Sequence, residues 1–192
     1  MNFNKPRIAK TTYLVGFEGK TEESLFKILK KYYCSQYVSK NSFRNTKDLK
    51  GGSGEAQLLR ILNHNEANNV DKILWLTDKD KYDEKNIDKH LSNSNNIWLK
   101  EKIIIIVFDP CVEACLLEIK GVDKISYSKE KINTDNLKSI CKKEIHKSYV
   151  DFDCPCTKIK EQEISDFIKF AKSSHRNTEN INRIIKILSE SI

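Results

Sequence analysis

The sequence predicts an α/β protein: a mostly parallel central sheet flanked by helices, with further helices at the C-terminal end. Three observations lead there. Short apolar runs of strand length recur at Tyr13–Phe17, Ile73–Thr77 and Ile103–Phe108. Between them lie stretches with apolar residues at helical spacing. The run Ile73-Leu74-Trp75-Leu76-Thr77 is apolar on both faces, as befits a strand covered by helices above and below.

The elements follow in order. Tyr13-Leu14-Val15-Gly16-Phe17 is the first strand, and Gly19 allows a tight turn after it. Thr21 with Glu23 and Ser24 opens an amphipathic helix carrying Leu25, Phe26, Ile28 and Leu29 and reaching about Tyr33. Residues 35–54 are polar, end in Gly-Gly-Ser-Gly and read as a loop. Glu55 to Asn65 reads as a second helix, Ile73–Thr77 as the second strand, Asp83 to His90 as a short charged helix and Asn93 to Asn96 as a loop. Ile103–Phe108 is the strongest strand. It stops at Asp109-Pro110, and Cys111 to Ile119 is helical, with proline suited to the first turn. Residues 121–135 carry no clear signal. Asn136–His146, Glu161–Lys172 and Asn180–Ser189 have helical spacing, and Asp151–Thr157 is a loop. No internal repeat is present. The expected organisation is a core over residues 1–125 and a helical extension over 126–192 packed on the same domain.

With 192 residues, 39% of them apolar, the chain suits one domain with a buried core. No apolar run reaches bilayer-spanning length, and the N-terminal MNFNKPRIAKTT lacks the apolar stretch of a signal peptide, so a cytoplasmic protein without membrane association is expected. The formal net charge of +7 favours a polyanionic partner such as nucleic acid. Six cysteines are compatible with zinc. Cys111 and Cys115 are spaced C-x3-C in a predicted helix, however, and Cys154 and Cys156 form C-P-C, too short for the usual knuckle. Small buried apolar residues plus a loop account for them as well. The four histidines show neither zinc spacing nor a neighbouring nucleophile, and Gly51–Gly54 lacks the Lys-Ser/Thr of a Walker A loop.

Chemistry is concentrated where strands end. The first strand runs into Glu18, the second into Asp78 and Asp80, and the third into Asp109, with Glu113 four residues on. Sites in open α/β sheets form outside the carboxyl ends of the strands. If the strands are parallel neighbours, Glu18, Asp78 and Asp80 converge. The two aspartates, two positions apart on a strand end, would then point the same way. Clustered carboxylates need a cation, and hard oxygen ligands suit Mg2+ or Mn2+. Lys20, at a helix N-terminus beside Glu18, is placed to hold a phosphate. Each acid also has an ordinary reading: Glu18 as a solvated corner, Asp78 and Asp80 as turn formers, Asp109 as the N-cap of the next helix and Glu113 as a surface acid. Lys79, between the aspartates, reads as structural. The C-terminal basic residues Lys142, Lys143, Lys158, Lys160, Lys169 and Arg176 suit either a nucleic-acid backbone or a solvated helix face.

The order E-G-K-T-E, then D-K-D after an apolar strand, resembles a Toprim domain, as found in topoisomerases, bacterial primases, OLD-family nucleases and small RNA-maturing nucleases. Within that group, F-E-G-K-T-E-E-S-L-F and F-D-P-C-V-E-A-C-L-L-E-I resemble the RloB-like branch, over roughly residues 12–120. The resemblance implies a Toprim-like Rossmannoid sandwich and a metal-dependent nuclease acting on DNA or RNA in prokaryotic restriction or anti-phage defence. In it Glu18 acts as general base or metal ligand, Asp78 and Asp80 are Mg2+ or Mn2+ ligands, and Glu113 is a further ligand. It also implies a protein partner from a defence system and leaves a homodimer open. The chain departs from the branch at Asp109, where the branch has asparagine, at Val112 in place of phenylalanine, and at Cys115 in place of an aromatic residue. Asp109 either joins the metal cluster or caps the helix. Two other classes remain: a Toprim-like nucleic-acid- or nucleotide-binding regulatory subunit without its own cleavage activity, and a zinc-stapled interaction module.

Overall fold

The computed structural model describes residues 10–34, 41–120, 159–170 and 177–189. Four strands, β1 (Thr11–Phe17), β2 (Asn41–Asp48), β3 (Lys72–Asp78) and β4 (Ile103–Phe108), form one sheet in the order β2-β1-β3-β4. All neighbouring pairs are parallel. The helices are α1 (Lys20–Tyr33), α2 (Gly54–Leu62), α3 (Glu84–Leu91), α4 (Ile97–Lys102), α5 (Val112–Ile119), α6 (Glu161–Lys169) and α7 (Thr178–Ser189).

The side-chain alternation of the strands divides the core into two layers. Tyr13, Val15 and Phe17 of β1, with Leu74, Leu76, Ile106 and Phe108, face α1, α5, α6 and α7. Leu14, Ile73 and Trp75 face the opposite layer, where Leu58 and Ile61 of α2, Ile87 and Leu91 of α3 and Leu99 of α4 pack. The sheet is thus covered on both faces, which is why its strands read as continuous apolar runs. Fully buried Trp75 has its indole N–H satisfied, donating to Gln57 Oε1 at 3.0 Å. Gln57 in turn donates from Nε2 to the Gly52 carbonyl, tying the glycine-rich turn to the core.

α6 and α7 belong to the same apolar core as β1 and α1, through Ile164, Phe167, Ile181 and Ile184. The junction is fixed by Asn177, wholly buried. Its Oδ1 accepts from the Asp109 N–H at 2.9 Å, and its Nδ2 donates to the Asp109 carbonyl at 2.9 Å and to Glu118 Oε2 at 3.2 Å. No helix among the described residues is long and apolar enough to cross a membrane.

Three expectations need correction, and one unassigned stretch proves to be a helix. The predicted loop over 35–54 contains β2. The segment N-S-F-R-N-T-K-D has a single apolar side chain and so no alternation to read. It is a strand because its backbone pairs with β1, and Phe43 stacks on Tyr13 with ring centroids 5.1 Å apart. Helix α1 begins at Lys20 behind an N-cap at Gly19, not at Thr21. Pro110 precedes the N-cap of α5, Cys111, rather than occupying its first turn, and follows a cis peptide bond. Residues 97–102, unassigned from sequence, form α4. The helix expected over 136–146, the C-P-C loop and Cys141, Cys154 and Cys156 lie outside the described residues. Of the described cysteines, Cys111 and Cys115 are buried in the core and Cys34 is half-buried at its border.

Candidate metal centre

The strand order decides where side chains can meet. The chain leaves β1 for β2 on one side, then crosses back so that β3 lies on the other. The β1–β3 boundary is therefore a topological switch point, where a crevice opens at the carboxyl ends of the strands. Glu18 follows β1 directly, and Asp78 is the last residue of β3. Asp78 has the parity of Leu74 and Leu76, so it projects toward the layer in which α1 and α5 begin. The first turns of those helices bring Glu22 and Glu113.

Glu18, Glu22 and Asp78 each present a carboxylate oxygen within 4.8 Å of the others. Each side chain is anchored. Glu18 Oε2 accepts from Thr77 Oγ1 at 3.3 Å and from the Asp78 N–H at 3.2 Å. Glu22 Oε2 accepts from the Gly19 N–H at 3.0 Å, and Asp78 Oδ1 from the Val112 N–H at 2.9 Å. The last bond satisfies an amide that the start of α5 leaves unpaired, so Asp78 performs the capping duty that the sequence suggests for Asp109.

Three of the acids are buried: Glu22, Asp78 and Glu113. Glu18 is half-buried. Burial and the like charges of Asp78, Glu113 and Glu18 push the Glu22 carboxyl up to about 8, against the lowering effect of a backbone hydrogen bond. Glu113 adds a sharper sign of incompleteness. Its Oε2 is buried without a hydrogen-bond partner. A buried carboxylate oxygen with nothing to bind is costly. Three converging carboxylates, with the charge of Glu113 acting on one of them, fit a hard divalent cation, which would offset the repulsion.

No protein-family model, curated protein or solved structure matches this chain. The geometry of the chain itself therefore sorts the expected site residues. Glu18 and Asp78 meet, and Glu113 is close enough to act on the same carboxyl. Asp80 is not in the three-carboxylate group. The strand ends at Asp78 and residues 79–81 turn, so the rule that residues two apart share a direction stops applying. Asp80 Oδ2 pairs with Lys81 at 3.3 Å and lines a cavity of about 390 Å3 with Ser53, Gly54, Tyr82 and Asn86. Asp109 is half-buried, with both its main-chain polar groups on Asn177, and is also outside the group. Lys20 is exposed in the first turn of α1.

Glu22 is the residue sequence reasoning missed. It sits four positions after Glu18 across the glycine turn, and at the third helical position after the Gly19 cap, where glutamate reaches back to the cap N–H. Starting the helix at Thr21 hid that signal.

Proposed function

We propose that this protein is a Mg2+- or Mn2+-dependent nuclease of the RloB-like, Toprim kind, hydrolysing phosphodiester bonds of DNA or RNA. The observation that carries the reading is the convergence of Glu18, Glu22 and Asp78, whose carboxylate oxygens lie within 4.8 Å of one another; the buried, unpartnered Glu113 Oε2 in the first turn of α5 adds to it. Glu18, Glu22, Asp78 and Glu113 would hold the cation, which supplies charge neutralisation at phosphoryl oxygens and acidifies water. Asp80, paired with Lys81 on the wall of a separate cavity, is left out of this set.

The chain's own groups divide the remaining work. The Val112 N–H and the Thr77 hydroxyl fix the carboxylates of Asp78 and Glu18, so the site needs little rearrangement. Glu22, whose carboxyl is pushed up by burial, would give its proton to solvent on binding a cation. Glu18, the most exposed of the four acids, would be the one to accept the proton of an attacking water if it is not itself bound to the cation. The implied setting is prokaryotic restriction or anti-phage defence with a protein partner.

A second reading is a nucleic-acid- or nucleotide-binding regulatory subunit. It draws on the fact that Asp78 and Glu22 each cap a helix, work that needs no catalysis. Cleavage of labelled single-stranded DNA, duplex DNA and transfer RNA separates the two. The nuclease reading expects cutting with Mg2+ or Mn2+, none with chelator, and loss in both Glu18→Gln and Asp78→Asn. Silence on every substrate with metal bound selects the subunit. Cutting that survives both substitutions sinks the proposed site.

A further inference from the structure

Lys50 is the one non-glycine residue with positive φ among the described residues, at 57°. Side chains are strained there, and glycine is the residue that fits. Gly51 and Gly52, the next two residues, do adopt positive φ, at 61° and 90°. The turn is held firmly. Asp48 Oδ1 accepts from the Lys50 N–H at 2.7 Å, and Arg60 Nη1 donates to the Leu49 carbonyl and to the Gly51 carbonyl, the latter at 2.6 Å. Packing does not explain a lysine at this position, because the residue is exposed. Location offers an explanation: the Gly51 N–H donates to the Glu18 carbonyl at 2.9 Å, which sets the turn beside the acid cluster.

Two more lysines share the edge, one of them Lys79, which the sequence suggests is structural but which is exposed here. Lys20 follows β1 by three residues, Lys50 follows β2 by two, and Lys79 follows β3 directly. All three strands are parallel, so all three lysines lie at the carboxyl end of the sheet, around the crevice. Each is exposed, and none forms an ion pair among the described residues. Exposed cations left uncommitted around an acidic centre suit a polyanion that arrives from solution and bridges both.

We propose that Lys50, with Lys20 and Lys79, binds phosphates of the strand on either side of the bond to be cut. The proposal rests on the reading of the acid cluster as a phosphodiester-hydrolysing centre.

The test is Lys50→Gly, which removes the charge and relieves the strained backbone together. Binding of labelled single-stranded and duplex oligonucleotides is followed by fluorescence anisotropy in chelator, across a salt series. The variant should melt no lower than the wild type, yet bind more weakly. The slope of log affinity against log salt should fall by about 0.7 for single strands and about 0.9 for duplex, one phosphate contact's worth. Lys20→Ala and Lys79→Ala should act alike, whereas Lys27→Ala, already paired with Glu23, should leave the slope unchanged. A wild-type slope in Lys50→Gly, or no binding by the wild type, overturns the proposal. Parallel cleavage assays with Mg2+ and Mn2+ keep the two readings apart. Reduced slopes from a protein that never cuts retain the rim and sink the hydrolase, and intact cutting with unmoved slopes does the reverse.

Discussion

Glu22→Gln makes the electrostatics of the acid cluster measurable. Glu22 is 4% exposed, and its carboxyl is pushed from 4.5 to about 8 by burial first and then by its acidic neighbours. Without metal, the folded protein therefore holds a proton between pH 4.5 and about 8 that the unfolded chain has released. Stability must fall as pH rises through that window, by on the order of 5 kcal/mol over its full width. Glutamine is neutral and nearly isosteric, and its carbonyl oxygen still accepts from the Gly19 N–H. The variant should match the wild type near the acid end of the window and exceed it by several kcal/mol above the alkaline end. Urea unfolding in chelator at both ends gives the comparison. Mg2+ should restore the wild type at alkaline pH and help the variant less, because one ligand charge has gone. Wild type and variant with parallel stability-against-pH curves would refute the reasoning, since Glu22 would then carry no unusual proton.

Other substitutions separate structural duty from metal binding. Asp78→Asn keeps an oxygen for the Val112 N–H and should fold normally while losing metal affinity by calorimetry. Asp78→Ala should also lose about 1 kcal/mol of stability, the usual worth of a helix cap. Asn177→Ala strips the side-chain bonds to Asp109 and Glu118, leaving its main-chain N–H on Glu118, and should lower stability by roughly 2–4 kcal/mol in denaturant titration. A loss under about half a kilocalorie would mean that α7 is held by its apolar face and the Asn180 bond to the Val107 carbonyl rather than by Asn177.

The sequence by itself determined the α/β class, three of the four strands and the strand ends where the acids lie. Apolar runs such as Ile103–Phe108 are local signals, and a sheet covered on both faces makes them continuous. Glu18 and Asp78 were legible because each ends such a run. The tertiary structure alone decided the rest. β2 is a strand through its pairing with β1, which its polar side chains do not announce. The order β2-β1-β3-β4 sets β1 against β3 and so brings Glu18 to Asp78. Glu22 joins them because helix α1 starts one step after Gly19, and Asp80 leaves because β3 ends at Asp78. The displaced proton of Glu22 and the orphaned oxygen of Glu113 arise only from burial and from charges brought together from distant parts of the chain. Periodicity along a sequence reports which face a residue occupies. Which faces meet, and at what electrostatic cost, is set by strand order and by where each element stops.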